Sequence, residues 1–433
     1  MKNKFNRLTL AAAVAAAAFA SQAQAGGYQI NEQSVSGQGY GHAGRSSNVH
    51  DATIVFGNPA GMSFLDRAQV SVGGTYLDVS TDLDNTTYTA TVPGTGGTTA
   101  QGDMVPGTLV PYAFYAHPVN EQLAFGFGVY APFGSKTDYE DSFAGRTFGT
   151  LTEVKVMSAQ PTVSYRFNDQ WSVGAGVTYN RVDGKLYRNA PAAPGVELDS
   201  RVEGDDEAWG YNLGIIYQPI PETTLGLTYR SKVEYTLEGD FKATGPDGSV
   251  ASRPVETPMG TVMVPLQDSA SLDLTTPETV NFSVTQEMTD RLKLMFGASW
   301  ARWSRFDQIL VEGENLGEIT KEPQNYSNAW AFAVGGEYQL NPQWALRAGL
   351  SIDNTPTNDI DRSVRIPSDD RRIFSIGAGW TPVDNMTVDL AYSYLSERGT
   401  FVEQGGPTDS RGQFRTDYKN EAHGFGAQLT YRF

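Results

Sequence analysis

Two short patterns near the start of the chain have residue types and spacing that could do chemistry. Gly39, Gly41 and Gly44 fall at the GxGxxG spacing of a turn that lets a pyrophosphate approach backbone N–H groups. That turn needs a hydrophobic strand before it and a helix after it, and here "GGYQINEQSVS" precedes it. Asn58-Pro59-Ala60 spells the tripeptide of water channels, where it occurs twice, at half-helix ends within helical spans; neither condition holds in this chain. What the residues support is local. Pro59 fixes a turn while Asn58 bonds backbone groups, either as an ordinary Asx-Pro turn or as a latch onto a neighbouring wall. The four histidines, His42, His50, His117 and His423, accompany no serine-nucleophile motif, and there is no cysteine. The reading is therefore a non-enzyme, with no catalytic residue, metal or cofactor assigned.

The elements that carry these residues begin with a leader. Lys2, Lys4 and Arg7 form a basic head, Leu8 to Ala20 is dominated by alanine, and Ala23-Gln24-Ala25 is a small-residue cleavage site. Residues 1–25 read as a secretory signal peptide. A formal net charge of −17 argues against nucleic acid as a partner, since phosphate binding needs a basic face. Beyond the leader no apolar run reaches the length of about eighteen residues that a helical span needs.

The periodicity is two. Trp171, Val173, Ala175, Val177 and Tyr179 fall on one face, opposite Ser172, Gly174, Gly176 and Thr178. The pattern returns at Leu292, Leu294, Phe296, Ala298 and Trp300, and again at Met386, Val388, Leu390, Tyr392 and Tyr394. A soluble sandwich would alternate too. Aromatics at strand ends, Trp171 with Tyr179 and Trp209 with Tyr217, point instead to the girdles of a membrane barrel. So does the regular exchange of tight turns such as 167–170, 341–343 and 382–385 with long loops near 83–107, 131–153, 189–205, 242–267, 312–325, 354–370 and 396–415.

The fold class is all-β, a transmembrane antiparallel barrel of about fourteen strands. The strands start near 68, 108, 121, 154, 170, 206, 223, 268, 290, 324, 342, 371, 385 and 418. A barrel that wide leaves a lumen. Residues 26–67, rich in Gly, Ser, Asn and Gln and without strand alternation, suit a hatch folded inside the barrel of residues 68–433.

"GGYQINEQSVSGQGYGHAGRSSN" with "DATIVFGNPAGM", "SWARWSRF", "NTPTNDIDRSVRIPSDDR" and the closing "HGFGAQLTYRF" resembles the FadL family of outer-membrane long-chain fatty-acid transporters over essentially the whole mature chain. The resemblance implies uptake by facilitated diffusion in the bacterial outer membrane. It implies a lateral opening where the third strand kinks, here at Pro132, Phe133 and Gly134. It implies a ligand carboxylate held by basic residues at positions matching Lys185, Arg188 and Lys321, with Tyr28 as the N-terminal aromatic in the same pocket. The resemblance favours the latch for Asn58, Pro59 and Ala60, and apolar loop residues such as Phe143 and Phe148 are the expected entry. Expected partners are a long-chain fatty acid or other hydrophobic small molecule, outer-membrane lipid and lipopolysaccharide, and the barrel-assembly machinery, with the protein a monomer. The family also contains importers of aromatic hydrocarbons, which is the alternative ligand class; a general porin or adhesin is the alternative outside the family.

Overall fold

The computed structural model describes residues 27–100, 102–258 and 260–433; the expected leader and its cleavage site lie outside the described residues. The chain forms a closed antiparallel barrel of 14 strands. They are β1 (Gln69–Thr89), β2 (Thr108–Pro118), β3 (Leu123–Asp138), β4 (Leu151–Arg166), β5 (Trp171–Ala193) and β6 (Val196–Ile220). Four strands then run in two pieces each: β7 (Thr223–Arg230, Val233–Thr244), β8 (Gln267–Thr276, Thr279–Thr289), β9 (Leu292–Ala301, Gln308–Gly313) and β10 (Gly317–Pro323, Ala329–Asn341). β11 (Trp344–Asp353), β12 (Arg371–Val383), β13 (Met386–Glu397, Thr400–Gly405) and β14 (Gln413–Arg432) complete the circuit. β14 pairs back onto β1 from Gln69↔Arg432 to Thr89↔Gln413, so no sheet edge is left there.

Alternation builds the wall. On β5 Trp171, Val173 and Val177 are exposed outward, while Ser172, Thr178 and Asn180 are buried inward. Trp171 stacks on Tyr217 at 4.2 Å and Tyr179 packs on Trp209 at 5.2 Å, marking two aromatic girdles. Eight residue steps separate them on β5, about 26 Å along the strand, and strand tilt brings that close to the apolar band of outer-membrane barrels.

Several strands rise well past the outer girdle. Residues 189–205, expected as a loop, are the upper halves of β5 and β6, paired from Asn189↔Asp199 down to Asp183↔Asp205. Likewise β10 begins at Gly317 rather than near 324. Above the bilayer the outer face meets water, so it carries Arg181, Asp205 and Glu207 in place of aliphatics, and the apolar signal stops while backbone pairing continues.

Residues ahead of β1 fill the lumen. Two short helices, α1 (Val35–Gly39) and α2 (Ile54–Gly57), and a 3-10 turn (Pro59–Phe64) are almost wholly buried. The hatch lies so near the wall that a Cβ at Gly174, Gly214, Gly226, Gly297 or Gly335 would collide with residues 40–60. A buried charge network also ties this hatch down. Arg347 pairs with Glu337 at 2.7 Å and Asp389 at 2.6 Å, and its guanidinium lies 3.0 Å from His50 Nε2. Next to it Asp51 accepts hydrogen bonds from Ser36 and Gln428, both at 2.7 Å.

Candidate ligand pocket and wall opening

The opening starts at a proline. β3 pairs with β2 from Pro118↔Ala124 to Ala113↔Val129 and no further, so that from Leu109 to Tyr112 β2 has β1 as its only ladder partner among the described residues. On its other side β3 skips two residues against β4, between Tyr130↔Ser158 and Phe133↔Val156. Pro132, at the skip, has no N–H to give to a ladder. The stretch Ala131 to Ser135 turns into the lumen and is buried. The β2–β3 ladder therefore ends short of Pro132, Phe133 and Gly134, which makes this stretch the candidate opening.

The N-terminal segment covers the edge that the kink frees. Ile30 N–H donates to the Pro132 carbonyl at 2.9 Å and Gly134 N–H donates to the Tyr28 carbonyl at 2.8 Å. Gln33 Nε2 adds a bond to the Ala131 carbonyl at 2.6 Å. Tyr28 is thereby placed beside a cavity lined by apolar inward residues including Leu186, Val202, Leu237, Leu274 and Ile309. That lining suits a hydrophobic ligand.

Of the three basic residues expected at a ligand head group, the structure brings one to the lumen. Arg188 shares the inward parity of Val182 and Leu186 on β5 and stands above the cavity. Lys185 borders the cavity, but it has the parity of Arg181 and Tyr187 and belongs to an outward row with Glu153 and Glu203. Lys321 is exposed, and its neighbour Glu322 takes the inward place, buried and in one row with Ile309. Both corrections have one cause, since a one-residue step along a strand exchanges its faces.

Sequence reasoning missed the residues that surround Arg188. Arg365, from the loop between β11 and β12, pairs with Glu322 at 2.9 Å, and both are buried. Arg411 pairs with Asp409 at 2.9 Å and lies over the Phe148 ring at 4.9 Å. The two acids are thus taken, and among the described residues Arg188 has no ion pair, while its Nε is buried without a hydrogen-bond partner. Burial pushes the Arg188 guanidinium below its ordinary value; Glu322 opposes this, and Arg365 and Arg411 add to it. For Glu322, burial acts upward, and Arg365 beside it, with Arg188 and Arg411 adding to it, outweighs that and holds the carboxyl below its ordinary value. The only signal in the sequence for this cluster was the "RIPSDDR" stretch, which could not show that Arg365 folds inward.

The remaining expected residues separate clearly. Asn58 Nδ2 donates to the Ser46 carbonyl at 2.7 Å and to the wall carbonyl of Ile215 at 3.0 Å, while its Oδ1 accepts from Ala60 N–H at 3.0 Å. The Ala60 carbonyl accepts from Ser172 at 2.8 Å and Ser164 at 2.9 Å. The tripeptide thus bonds to three wall strands, β4, β5 and β6. Phe143 and Phe148 are not exposed at an entrance. Both are fully buried with Phe414 and Val364 in a separate core between the long loops and the upper parts of β13 and β14, where Phe143 stacks on Tyr139 at 4.0 Å. His50, Asp51 and Asp389 converge closely enough to suggest metal ligands, but the Arg347 guanidinium already lies against His50 and Asp389.

A barrel with an internal N-terminal plug and a kinked third strand can be placed among known proteins. Residues 16–433 match the family model described as outer membrane protein transport protein (OMPP1/FadL/TodX). The chain belongs to the FadL family. It is 29% identical to outer membrane protein P1 of Haemophilus influenzae, over 99% of this chain and all of that one. It is 26% identical to a long-chain fatty acid transport protein of Escherichia coli O6:H1, over 98% of both chains. A FadL homologue of Pseudomonas aeruginosa superposes with a TM-score of 0.84 at 26% identity, covering 94% of this chain and 99% of that one. FadL-family membership makes this an outer-membrane transporter of hydrophobic compounds rather than an enzyme.

Proposed function

We propose that this FadL-family protein takes up long-chain fatty acids by facilitated diffusion, binding the carboxylate at Arg188 and releasing the chain sideways through the opening between β2 and β3. The observation that carries this reading is Arg188 itself, which has no ion pair among the described residues and whose Nε is buried without a hydrogen-bond partner, two residues above Leu186 of the apolar cavity on the same inward row of β5. A buried, unpaired charge is costly and is relieved by an anion. A neutral hydrocarbon would leave it unrelieved. The sideways exit follows from the tail. Burial is worth about 0.8 kcal/mol per CH₂, so release of a sixteen-carbon acid into water forfeits about 12 kcal/mol, whereas a passage into the bilayer keeps it. In this reading residues 1–25 are the export leader, residues 26–67 the hatch latched by Asn58, Pro59 and Ala60, and Tyr28 the N-terminal gate. The barrel works as a monomer, inserted by the barrel-assembly machinery among lipid and lipopolysaccharide.

The test compares two alanine variants. Arg188→Ala should weaken binding of a long-chain fatty acid by about tenfold or more, the worth of a charge-assisted hydrogen bond, and leave a neutral hydrocarbon of equal length unaffected. Lys321→Ala, on the outer face, should change neither. Equal losses for acid and hydrocarbon in Arg188→Ala would overturn the head-group assignment.

A further inference from the structure

Beside the cavity, Tyr28 packs edge-on against Trp303 at 4.7 Å and Phe306 at 5.8 Å, and Tyr326 packs against Phe306 at 5.0 Å and Trp303 at 6.0 Å. Three polar atoms of this aromatic box, Tyr28 Oη, Tyr326 Oη and Trp303 Nε1, are buried without a hydrogen-bond partner. The box is shut on one side by Gly27, which lies flat on the indole, so close that a Cβ there would meet Trp303 at 2.7 Å. A buried polar atom left unpaired has given up its hydrogen bond to water for nothing, and three together are unusual in a single native cluster. Phenylalanines in place of the two tyrosines would pack the same space at no such cost.

The place of the box relative to Arg188 follows from the ladder. Gly134, bonded to Tyr28, lies in one cross-strand row with Lys155 and Asp183. Asp183 is five residues down β5 from Arg188, which at about 3.3 Å per residue is roughly 16 Å. An acyl chain anchored at Arg188 and running down the cavity therefore comes level with Tyr28, at the edge of the box, well along its length. A plain hydrocarbon tail arriving there leaves all three atoms unpaired. A hydroxyl on the tail would accept from Trp303 Nε1–H, which can only donate, and donate to a tyrosine oxygen, which can accept.

We propose that the ligand of this pocket is a hydroxylated long-chain acid, its carboxylate at Arg188 and its chain hydroxyl received by Trp303 and Tyr326. The inference rests on the fatty-acid reading above and narrows it. A site built to bond a hydroxyl discriminates against the analogue that lacks one, because its own polar groups are then stranded.

The experiment measures binding of octadecanoic acid and of a positional series of monohydroxy-octadecanoic acids to the purified, full barrel. The expected result is that at least one mid-chain or late-chain isomer binds about fivefold tighter than the unsubstituted acid, the worth of about one net hydrogen bond. In Tyr326→Phe the ratio of the two affinities should fall to one or below, whatever happens to either affinity alone; Trp303→Phe should do the same if Tyr326→Phe does not fold. Tighter binding of the unsubstituted acid than of every isomer overturns the proposal and assigns the three polar atoms to water. An unchanged ratio in the variants overturns it as well, placing the preference elsewhere. Binding of neither acid to the unmodified protein removes the fatty-acid reading, and this one with it.

Discussion

The carbonyl oxygen of Tyr28 accepts a hydrogen bond from the backbone N–H of Gly134 at 2.8 Å. One of these residues lines the cavity and the other belongs to the kink where the β2–β3 ladder has ended, so pocket and kink share a backbone bond. With the Ile30 to Pro132 bond it makes a short antiparallel pairing centred on Gln29 and Phe133. The N-terminal segment thus serves as the missing neighbour of β3 on the stretch where β2 has let go. A ligand that pushes Tyr28 out of its seat must also break this pairing.

Locking the pairing should therefore stop transport. Gln29 and Phe133 face each other between those two hydrogen bonds, the geometry in which Cα atoms approach most closely and within disulfide range. The chain has no cysteine, so Gln29→Cys with Phe133→Cys creates a single possible cross-link. Uptake of a labelled fatty acid by cells carrying the oxidised double variant should fall to background and return on reduction. Undiminished uptake by the cross-linked form would show that the N-terminal segment need not move.

The hatch depends on the wall glycines as much as on its own residues. A side chain at Gly214 would collide with Asn58 Oδ1 and the Pro59 ring. Gly214→Val should unseat the tripeptide and strand the Ser46 and Ile215 carbonyls, at about 1–3 kcal/mol for each buried group. Single-channel recording in planar bilayers should then show steady conductance where the unmodified protein is closed, with gel mobility still that of a folded barrel. A closed Gly214→Val would mean that the hatch is held elsewhere, with the Arg347 network the first place to look.

Acid should weaken the loop cluster in a defined direction. The Glu322 carboxyl is held below its ordinary value, chiefly by Arg365 working against burial. Its contribution to stability is therefore complete above the unfolded carboxylate value of about 4.3 and is lost as pH falls through the lower, folded value. Glu322→Gln leaves Arg365 buried without its partner and should cost about 3–5 kcal/mol at neutral pH. Denaturant unfolding in detergent should show that deficit at pH 7 and show it shrinking below about pH 4. A deficit independent of pH would assign it to packing rather than charge.

The membrane-embedded part of this protein was legible in its sequence because the bilayer enforces a simple rule. Where one face must be apolar and the other meets a polar lumen, residues alternate, as at Trp171 to Tyr179, and the strands that obey start close to where the alternation starts. The unusual composition ahead of β1 likewise marked residues destined for the lumen, and "Pro132-Phe133-Gly134" marked a strand that cannot pair throughout. Above the outer girdle the rule lapses, because water lies on the outer side, and strand rows such as Asn189↔Asp199 looked like loop. There only the tertiary structure decided which face each side chain takes. Lys321 and Glu322 are adjacent and equally polar, and it is the pairing of Ile309 with Glu322 that puts the acid inside and the lysine in solvent. Phe143 and Phe148 are apolar in a long loop, and only the arrival of Phe414 and Val364 from distant segments turns an apparent entrance into a core. A period of two can be read from one strand by itself, whereas the partner of a buried charge or ring comes from elsewhere in the chain, by contacts that no local pattern records.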